Sequence, residues 1–374
     1  MEPFKNLLNA GLVRDTATYL QAAWPAFDKA AFVRQATRGL EALEMKARAM
    51  QIADALEVAL PPRFVQACDA IEAALAPVVE PGTEAPPQRH GLHGWIVWPL
   101  GEFVARRGID EPERALLALH ALTQRFSAEF AIRPLIKVHP ALVFAQLQRW
   151  TGDASAHVRR LASEGSRPRL PWGIRLHALV ADPSPTLPLL RALQDDTSDY
   201  VRRSVANHLN DIAKDHPRIV AAWVREYLPD ATRERRALLK HASRSLIKAG
   251  HGETMALWGA AAPLLGSAKL ALSPKRIAVG ESVAFCLTLR SASAQPQALL
   301  IDYAVHHVKA NGGSSAKVFK GWTLTLAPGE SRRLEKSHSM REITTRRYHA
   351  GKHRVDVRIN GQVVAEAAFS LALA

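Results

Sequence analysis

The sequence predicts a mainly α-helical protein whose last third is built from β-strands. Three observations support this fold class. Apolar residues recur at helical spacing from Leu20 to about Gly266, one motif repeats after 43 residues, and alternation of apolar and polar residues replaces the helical pattern beyond Gly266. The chain has 374 residues, enough for two domains that each bury a core. We therefore predict one domain over residues 1–266 and a second over residues 267–374.

Amphipathic runs separated by short breaks indicate the helices of the first part. In an early run, apolar residues recur at helical spacing, namely Phe32, Ala36, Leu40, Leu43 and Ala47. The stretch VEPGTEAPPQRH, residues 79–90, carries Pro81, Gly82, Pro86 and Pro87 within a weak pattern. It is predicted to be a loop.

An internal repeat organises the helices. The segment GDASAHVRRLASEG (152–165) aligns with DDTSDYVRRSVANH (195–208), and a weaker copy begins at Arg233. A period near 40 residues, with an Asp at a turn before a helix that carries Val-Arg, is typical of HEAT-like antiparallel helix pairs. The first domain is thus predicted to be a HEAT-like helical-repeat solenoid.

Short alternating runs predict the strands. They are RIAVGESVAFCLTLRS, LLIDYAVHHV, AKVFKGWTLTLAPGESRRLEKSHSM and HRVDVRINGQVVAEAAFSLAL, with Pro-Gly and Asn-Gly turn signals. About 105 residues of such strands suit an all-β immunoglobulin-like sandwich.

The charge of the chain favours a polyanionic partner. The formal net charge is +14, and residues 268–374 carry 16 Lys and Arg against 7 Asp and Glu. Release of counterions drives such proteins onto nucleic acid, although basic proteins also bind membranes or are merely soluble. In ITTRRYHAGKHR (343–354), basic side chains surround a predicted hairpin tip, which is either a solvated turn or a loop that enters a DNA groove. We assign DNA contacts here to Arg346, Arg347, Lys352 and Arg354.

Several function classes lack their sequence signals. No stretch reaches the roughly 18 apolar residues of a membrane span, and the N-terminus has no apolar signal region, so we expect a cytoplasmic protein. Cys68 and Cys286 are expected to be reduced and structural. There is no Walker loop, GxSxG, HExxH or Cys–His zinc spacing, and His90 and His93 lack a third ligand. We expect no metal and no cofactor.

One constellation of acids stands out in the repeats. Asn207 and Asp211 are four residues apart on a predicted helix, and Glu164 occupies the position equivalent to Asn207 one repeat earlier. Stacked repeats are expected to bring these three side chains together among four arginines, Arg159, Arg160, Arg202 and Arg203. The acids either neutralise a ladder of arginines or form a site.

Two further features favour a site. Glu164 is followed by Gly165-Ser166-Arg167-Pro168-Arg169-Leu170-Pro171-Trp172-Gly173, a turn predicted to present an indole beside an acid. Aromatic and carboxylate groups together suit a flat, cationic ligand. Upstream, RFSAEFAIRPLIKVHP (125–140) is predicted to be a helix bearing Glu129, which either belongs to this site or is buried against Arg125 or Arg133.

At these residues the sequence resembles the AlkC branch of the bacterial DNA alkylation repair glycosylases, relatives of AlkD. The matching stretches are FVRQATRGLEALEMKARAMQIADAL, LTQRFSAEFAIRP, HVRRLASEGSRPRLPWG and SDYVRRSVANHLNDIAKDHP. Members of the larger AlkC subgroup also carry a C-terminal immunoglobulin-like domain, which agrees with the strand pattern.

The resemblance implies excision of N3-methylated bases from duplex DNA without metal or cofactor. Its motifs assign catalysis to Glu129, Glu164 and Asp211, and base contact to Trp172. Arg160 and Asn207 are assigned as substrate-binding groups, with the alternative that they only order the carboxylates. Charge adds Arg159, Arg202 and Arg203 as DNA contacts. Residues 1–266 are then the catalytic domain, and residues 267–374 bind DNA. The partner is alkylated double-stranded DNA. We expect a monomer without an obligate protein partner. The alternatives are a non-catalytic scaffold for DNA or an acidic protein, and a helical-repeat adaptor for RNA or peptides.

Overall fold

The computed structural model describes residues 3–84, 90–260, 262–343 and 346–373. They form two compact units. One comprises Met1–His216 with Ala231–Ala242, and the other comprises Pro217–Asp230 with Ser243–Ala374. Pro86 and Pro87 of the predicted loop lie outside the described residues.

The first unit is α-helical. Its helices are α1 (Ala10–Ala23), α2 (Lys29–Thr37), α3 (Met45–Ala59), α4 (Phe64–Ala73), α5 (Val97–Arg107), α6 (Pro112–Thr123), α7 (Ile132–Val138), α8 (Pro140–Trp150), α9 (Ala156–Glu164), α10 (His177–Ala181), α11 (Leu187–Leu193), α12 (Asp199–Ile212) and α14 (Arg233–Ala242). Helix α12 packs against α9 and α14, and α11 packs against α8, α9 and α12. This stacking confirms the helical-repeat prediction.

The repeated sequence forms repeated contacts. Asp153 Oδ1 accepts a hydrogen bond from the Ser155 amide, and the equivalent Asp196 Oδ1 accepts one from Ser198, each at 2.8 Å. Such turns cap the helix that follows. Arg159 then donates to the carbonyls of residues 153 and 154, as its equivalent Arg202 does to those of residues 196 and 197. Two of the four predicted ladder arginines therefore hold the turns that begin their own helices.

Within the described residues, the second unit contains the strands and three helices. The helices are α13 (Pro217–Tyr227), α15 (Arg244–Ala249) and α16 (Gly252–Leu257), and the strands are β1 (Gly266–Ser273), β2 (Arg276–Ala278), β3 (Ser282–Ser291), β4 (Gln297–Val308), β5 (Ser314–Leu326), β6 (Ser331–Ser339), β7 (Gly351–Ile359) and β8 (Gln362–Ala372). One sheet has the order β1-β3-β6 and the other β2-β8-β7-β4-β5. Their inner faces bury one apolar core that includes Phe285, Val305, Val357 and Phe369. This is the sandwich that the sequence predicts.

The Asn-Gly signal between β7 and β8 is a tight turn. Asn360 and Gly361 both have positive φ, 50° and 82°, as a two-residue turn matching the strand twist requires. Strand β1 was not among the predicted runs, because its side chains are largely exposed and alternate weakly.

The predicted hairpin tip in residues 343–354 is wrong. Strand β6 belongs to the three-stranded sheet and β7 to the five-stranded sheet, so these two strands do not form a hairpin. Lys352 and Arg354 lie within β7 itself. Thr344 and Thr345 of this segment fall outside the described residues.

Candidate active site

A cleft of about 530 Å³ opens in the helical unit beside α9 and α12. Glu129, Glu164, Arg160 and Trp172, all predicted site residues, line it. Its wall is rich in aromatic side chains, which are Trp95, Phe126, Phe130, Trp172 and Tyr200. The cleft therefore combines ionised groups with flat apolar surfaces, as a site for a flat polar ligand requires.

Glu164 is the last residue of α9, at the C-terminal end of the helix. It is 5% exposed, and its Oε2 accepts a hydrogen bond from Ser204 Oγ at 2.6 Å, while its Oε1 accepts one from Arg167 at 2.5 Å. Burial raises the pKa of Glu164, but the charges of Arg160 and Arg167 outweigh burial, so the pKa lies below its ordinary value. The side chain is thus held as a carboxylate at neutral pH.

Asp211, on α12, is connected to Glu164 through Arg167. We call the hydrogen-bonded groups around Glu164 and Asp211 the network. The Arg167 Nε donates to Asp211 Oδ2 at 2.9 Å, and Lys214 donates to Asp211 Oδ1 at 2.8 Å. Asp211 is only 2% exposed and lies behind the residues that line the cleft. The repeat offset thus brings Glu164 and Asp211 together, with one guanidinium between them.

Glu129 lies in a turn rather than in the predicted helix over residues 125–140. Helix α6 ends at Thr123 and α7 begins at Ile132. The Ser127 hydroxyl donates to Glu129 Oε2 at 2.7 Å and accepts from the Glu129 amide, a local arrangement that competes with helical hydrogen bonds. The carboxylate pairs with Arg160 at 2.8 Å, and not with Arg125 or Arg133 as the alternative interpretation proposed.

Arg133 holds the loop that follows α9. Its side chain is fully buried and donates to the carbonyls of Gly165, Arg167 and Ile174 at 2.7–2.8 Å. Burial, followed by the charge of Arg167, lowers the pKa of Arg133 to about 10, which leaves it charged at neutral pH. Close packing adds to this restraint, because a Cβ at Gly165 would lie 2.6 Å from Ile132. Arg167 and Trp172 thus project from a loop with a fixed path.

Trp172 lies in this loop and has a strained backbone conformation. Its φ is 64°, in the left-handed region that bulky residues rarely adopt. The indole is 61% exposed and stacks on Trp98, with ring centroids 6.2 Å apart and an interplanar angle of 9°. An exposed indole held at a strained position is typical of a functional site.

The other predicted residues of the helical unit lie outside this cleft. Asn207 Oδ1 contacts His241 Nε2 of α14 at 3.0 Å, and Asn207 does not line the cleft. Arg159 pairs with Asp196 at 2.6 Å, while Arg203 is 65% exposed and pairs with Asp199. Of the arginines proposed for DNA contact here, Arg203 has the most accessible charge.

The basic residues of the sandwich differ in accessibility. Arg347 and Lys352 are exposed. Arg346 is half-buried and donates to His307 Nε2 at 2.5 Å. Arg354 is exposed but pairs with Glu366 at 2.7 Å. The charge at residues 346–354 is therefore presented mainly by Arg347 and Lys352.

Three residues of the network were not predicted as site residues. Arg167 lies within a segment singled out for its turn, but its contacts depend on the path of the loop. Tyr200, equivalent to His157 in the repeat, lines the cleft, and Arg160 lies 4.8 Å from its ring centroid. Ser204 bonds Glu164 from α12. The repeat register was the available signal for Tyr200 and Ser204, because it places both on the helix beside Glu164.

The part of the chain that the structure describes contains neither a candidate metal-binding cluster nor a helix that could span a membrane. No group of three or more His, Cys, Asp or Glu in ranges 3–84, 90–260, 262–343 and 346–373 has the geometry to hold a metal ion. In the same part of the chain, no helix combines the length and apolar character needed to cross a bilayer. Both cysteines are free thiols.

Comparisons with known proteins place relatives along nearly the whole chain. A family model described as the C-terminal Ig-like domain of the uncharacterised protein YhaZ matches residues 266–373. The uncharacterized protein YhaZ of Bacillus subtilis (strain 168) is 35% identical over 367 residues, which cover 97% of this chain and 98% of YhaZ. The solved structure of Pseudomonas fluorescens alkylpurine DNA glycosylase AlkC, bound to DNA containing an abasic site analog, shares 35% identity with a TM-score of 0.88, and the match covers 99% of this chain and 100% of that chain.

Proposed function

Because this chain belongs to the AlkC-type family of DNA alkylation repair glycosylases, we propose that it removes cationic N3-alkylated bases from double-stranded DNA by hydrolysing their N-glycosidic bonds. The substrates are N3-methyladenine and N3-methylcytosine. The observation that carries the proposal is the cleft in which Glu129 and Glu164 face a wall of aromatic rings. In this proposal the cytoplasm, where bacterial DNA lies, is the site of action.

The chemistry suits a cluster of carboxylates. An N3-alkylated base already carries a positive charge, so it leaves as a neutral molecule with the electron pair of the glycosidic bond and needs no protonation. The sugar develops oxocarbenium character, which ionised carboxylates stabilise in a site of low dielectric. Water then adds at C1′ and its proton passes to a carboxylate, which makes the reaction a monofunctional hydrolysis.

The residues have different roles in this proposal. Glu164 is ionised and lines the cleft, so it stabilises the sugar cation or aligns the water, with Glu129 beside it. Asp211 is the third catalytic carboxylate of the proposal and accepts a hydrogen bond from Arg167. The exposed indole of Trp172 contacts the lesion nucleotide. Arg159, Arg202, Arg203 and the basic residues of the sandwich contribute to duplex binding through their charge.

The test is incubation of the purified full chain with methylated duplex DNA, followed by separation of the released bases. Release of N3-methyladenine, with no release from undamaged duplex, is the expected result. A protein that binds duplex DNA but releases no methylated base at any salt concentration is a binding scaffold, which would end the proposal. Preference for RNA or a peptide over duplex would indicate the adaptor function instead.

A further inference from the structure

A guanidinium already lies where the proposed cationic base would bind. Arg160 Nη1 donates to Glu129 Oε2 at 2.8 Å and to Ser127 Oγ at 3.0 Å, and its Nη2 lies 3.7 Å from Glu164 Oε1. The guanidinium carbon is 4.8 Å from the centroid of the Tyr200 ring. A flat cation thus rests on an aromatic face and beside two carboxylates, inside the cleft.

An alkylated base has the same recognition chemistry as this guanidinium. Both are planar, positively charged and able to stack on an aromatic ring. We propose that Glu129, Glu164 and Tyr200 form a binding site for a planar organic cation, and that Arg160 fills this site in the DNA-free protein and leaves it as the cationic base enters. The identity of the entering cation as a DNA base rests on the proposed function, whereas the cation site itself does not.

The site keeps its geometry when Arg160 leaves. Ser127 still donates to Glu129, and both Ser204 and Arg167 still donate to Glu164. The hydrogen bonds of Arg160 go to side chains, whereas Arg159 next to it donates to two backbone carbonyls. These hydrogen bonds of Arg160 hold no backbone carbonyl, and the Ser127–Glu129 hydrogen bonds of the turn do not involve Arg160 as a partner.

The charges explain why this exchange selects for cations. The carboxylates of Glu129, Glu164 and Asp211 form ion pairs with three cationic side chains, those of Arg160, Arg167 and Lys214. The buried charge of Arg133 interacts electrostatically with the same carboxylates and brings the number of cations to four. With Arg160 in place, positive charges outnumber negative ones, so an additional cation gains nothing by entering. A cationic base that replaces Arg160 restores the pairing of Glu129, but a neutral base leaves that carboxylate without its partner. Arg160 is thus a residue that determines specificity.

The test replaces the side chain and adds the cation back as methylguanidinium. Melting temperatures of the full-length Arg160→Ala protein are measured with methylguanidinium and with methylammonium at equal ionic strength. Methylguanidinium is expected to raise the melting temperature of this variant by about 2 °C relative to its effect on the parent. The matched control is Arg203→Ala, which removes the repeat-equivalent arginine from outside the cleft. The double variant Arg160→Ala, Glu129→Gln is expected to lose the response.

The excision assay then separates two roles of Arg160. If Arg160 must leave, methylguanidinium competes with the base and slows excision by Arg160→Ala about sixfold at five times its dissociation constant. Rescue of excision by methylguanidinium would overturn the proposal, because Arg160 would then act in place. The proposal would also be overturned if methylguanidinium did not raise the melting temperature of Arg160→Ala. If the alanine variant does not fold, Arg160→Ser takes its place. A parent protein that releases no base contradicts the proposed function alone, since the melting experiment still tests the cation site.

Discussion

Glu164 and Asp211 lie on different helices, α9 and α12, and bind the same guanidinium, that of Arg167. The helices belong to consecutive repeats, so a contact between repeats also joins two candidate catalytic groups. Arg167 comes from the loop that Arg133 fixes, and this loop also carries Trp172. The helical repeat therefore positions the acids, and one buried arginine positions the loop that connects them.

Replacing Arg167 by Met is expected to raise the pH below which the excision rate falls. Burial raises the pKa of Glu164, while Arg160 and Arg167 lower it below the ordinary value. In the parent, excision is therefore lost only below the usual carboxylate range as pH falls, and the Met variant loses it at higher pH. Single-turnover excision rates across pH measure the shift, and Arg167→Lys, which keeps the charge, should restore part of it. If the excision rates of the parent and the Met variant fell at the same pH, Arg167 would not lower the pKa of Glu164.

Replacing Trp172 by Gly is expected to separate stability from function. Glycine removes left-handed strain of about 1–2 kcal/mol, while loss of stacking on Trp98 costs about 0.5–1.5 kcal/mol. The free energy of unfolding should therefore change by no more than about 1.5 kcal/mol, as measured by urea denaturation, whereas excision falls sharply. Trp172→Phe retains an aromatic ring and is the control. Full excision by the glycine variant would show that the indole does not contact the lesion.

Acid is expected to destabilise the protein partly through His208. Its ring is fully buried against the Ser163 carbonyl, and burial lowers its pKa to about 4. An unfolded chain binds a proton at this residue near pH 6.5, so between pH 6.5 and about 4 the unfolded state holds more protons and stability falls as pH falls. The loss amounts to about 3 kcal/mol across that window. Urea denaturation of the parent and of His208→Gln at several pH values measures it, and equal slopes in both proteins would refute the assignment.

Removing the exposed charge of Arg347 is expected to weaken binding to all duplexes equally. One lost phosphate contact lowers the slope of log affinity against log salt concentration by about 1. Fluorescence anisotropy with methylated and undamaged duplex, at several salt concentrations, gives this slope. Arg333→Ala is the matched control, since Arg333 is also exposed but lies in β6 of the other sheet, paired with Glu335. An unchanged slope would remove Arg347 from the DNA interface.

The sequence predicted the helical body and the sandwich because periodicity is a local property. The 43-residue repeat also placed Glu164 and Asp211 on neighbouring helices, since equivalent positions in stacked repeats face the same way. It did not predict the bridge formed by Arg167, because that contact depends on a loop path set by a buried side chain 34 residues earlier in the chain.

The error at Glu129 has an equally specific cause. Glu129 was placed in a helix because the sequence around it has helical periodicity, but the Ser127 hydroxyl supports a turn there. Polar contacts within the turn outweigh the helical pattern there, and such contacts are not readable from spacing. The domain boundary at residues 266 and 267, and the roles of the site residues, stay predictions.

The central claim is that the carboxylates of the cleft act in hydrolysis of the glycosidic bond and not in binding of the duplex. Its most direct test is the single-turnover rate of N3-methyladenine release by the parent and by Glu164→Gln, with duplex DNA saturated by each protein. We expect the Gln variant to bind methylated duplex with the affinity of the parent and to release the base roughly 100–1000-fold more slowly. Equal rates in the two proteins at full saturation would contradict the claim.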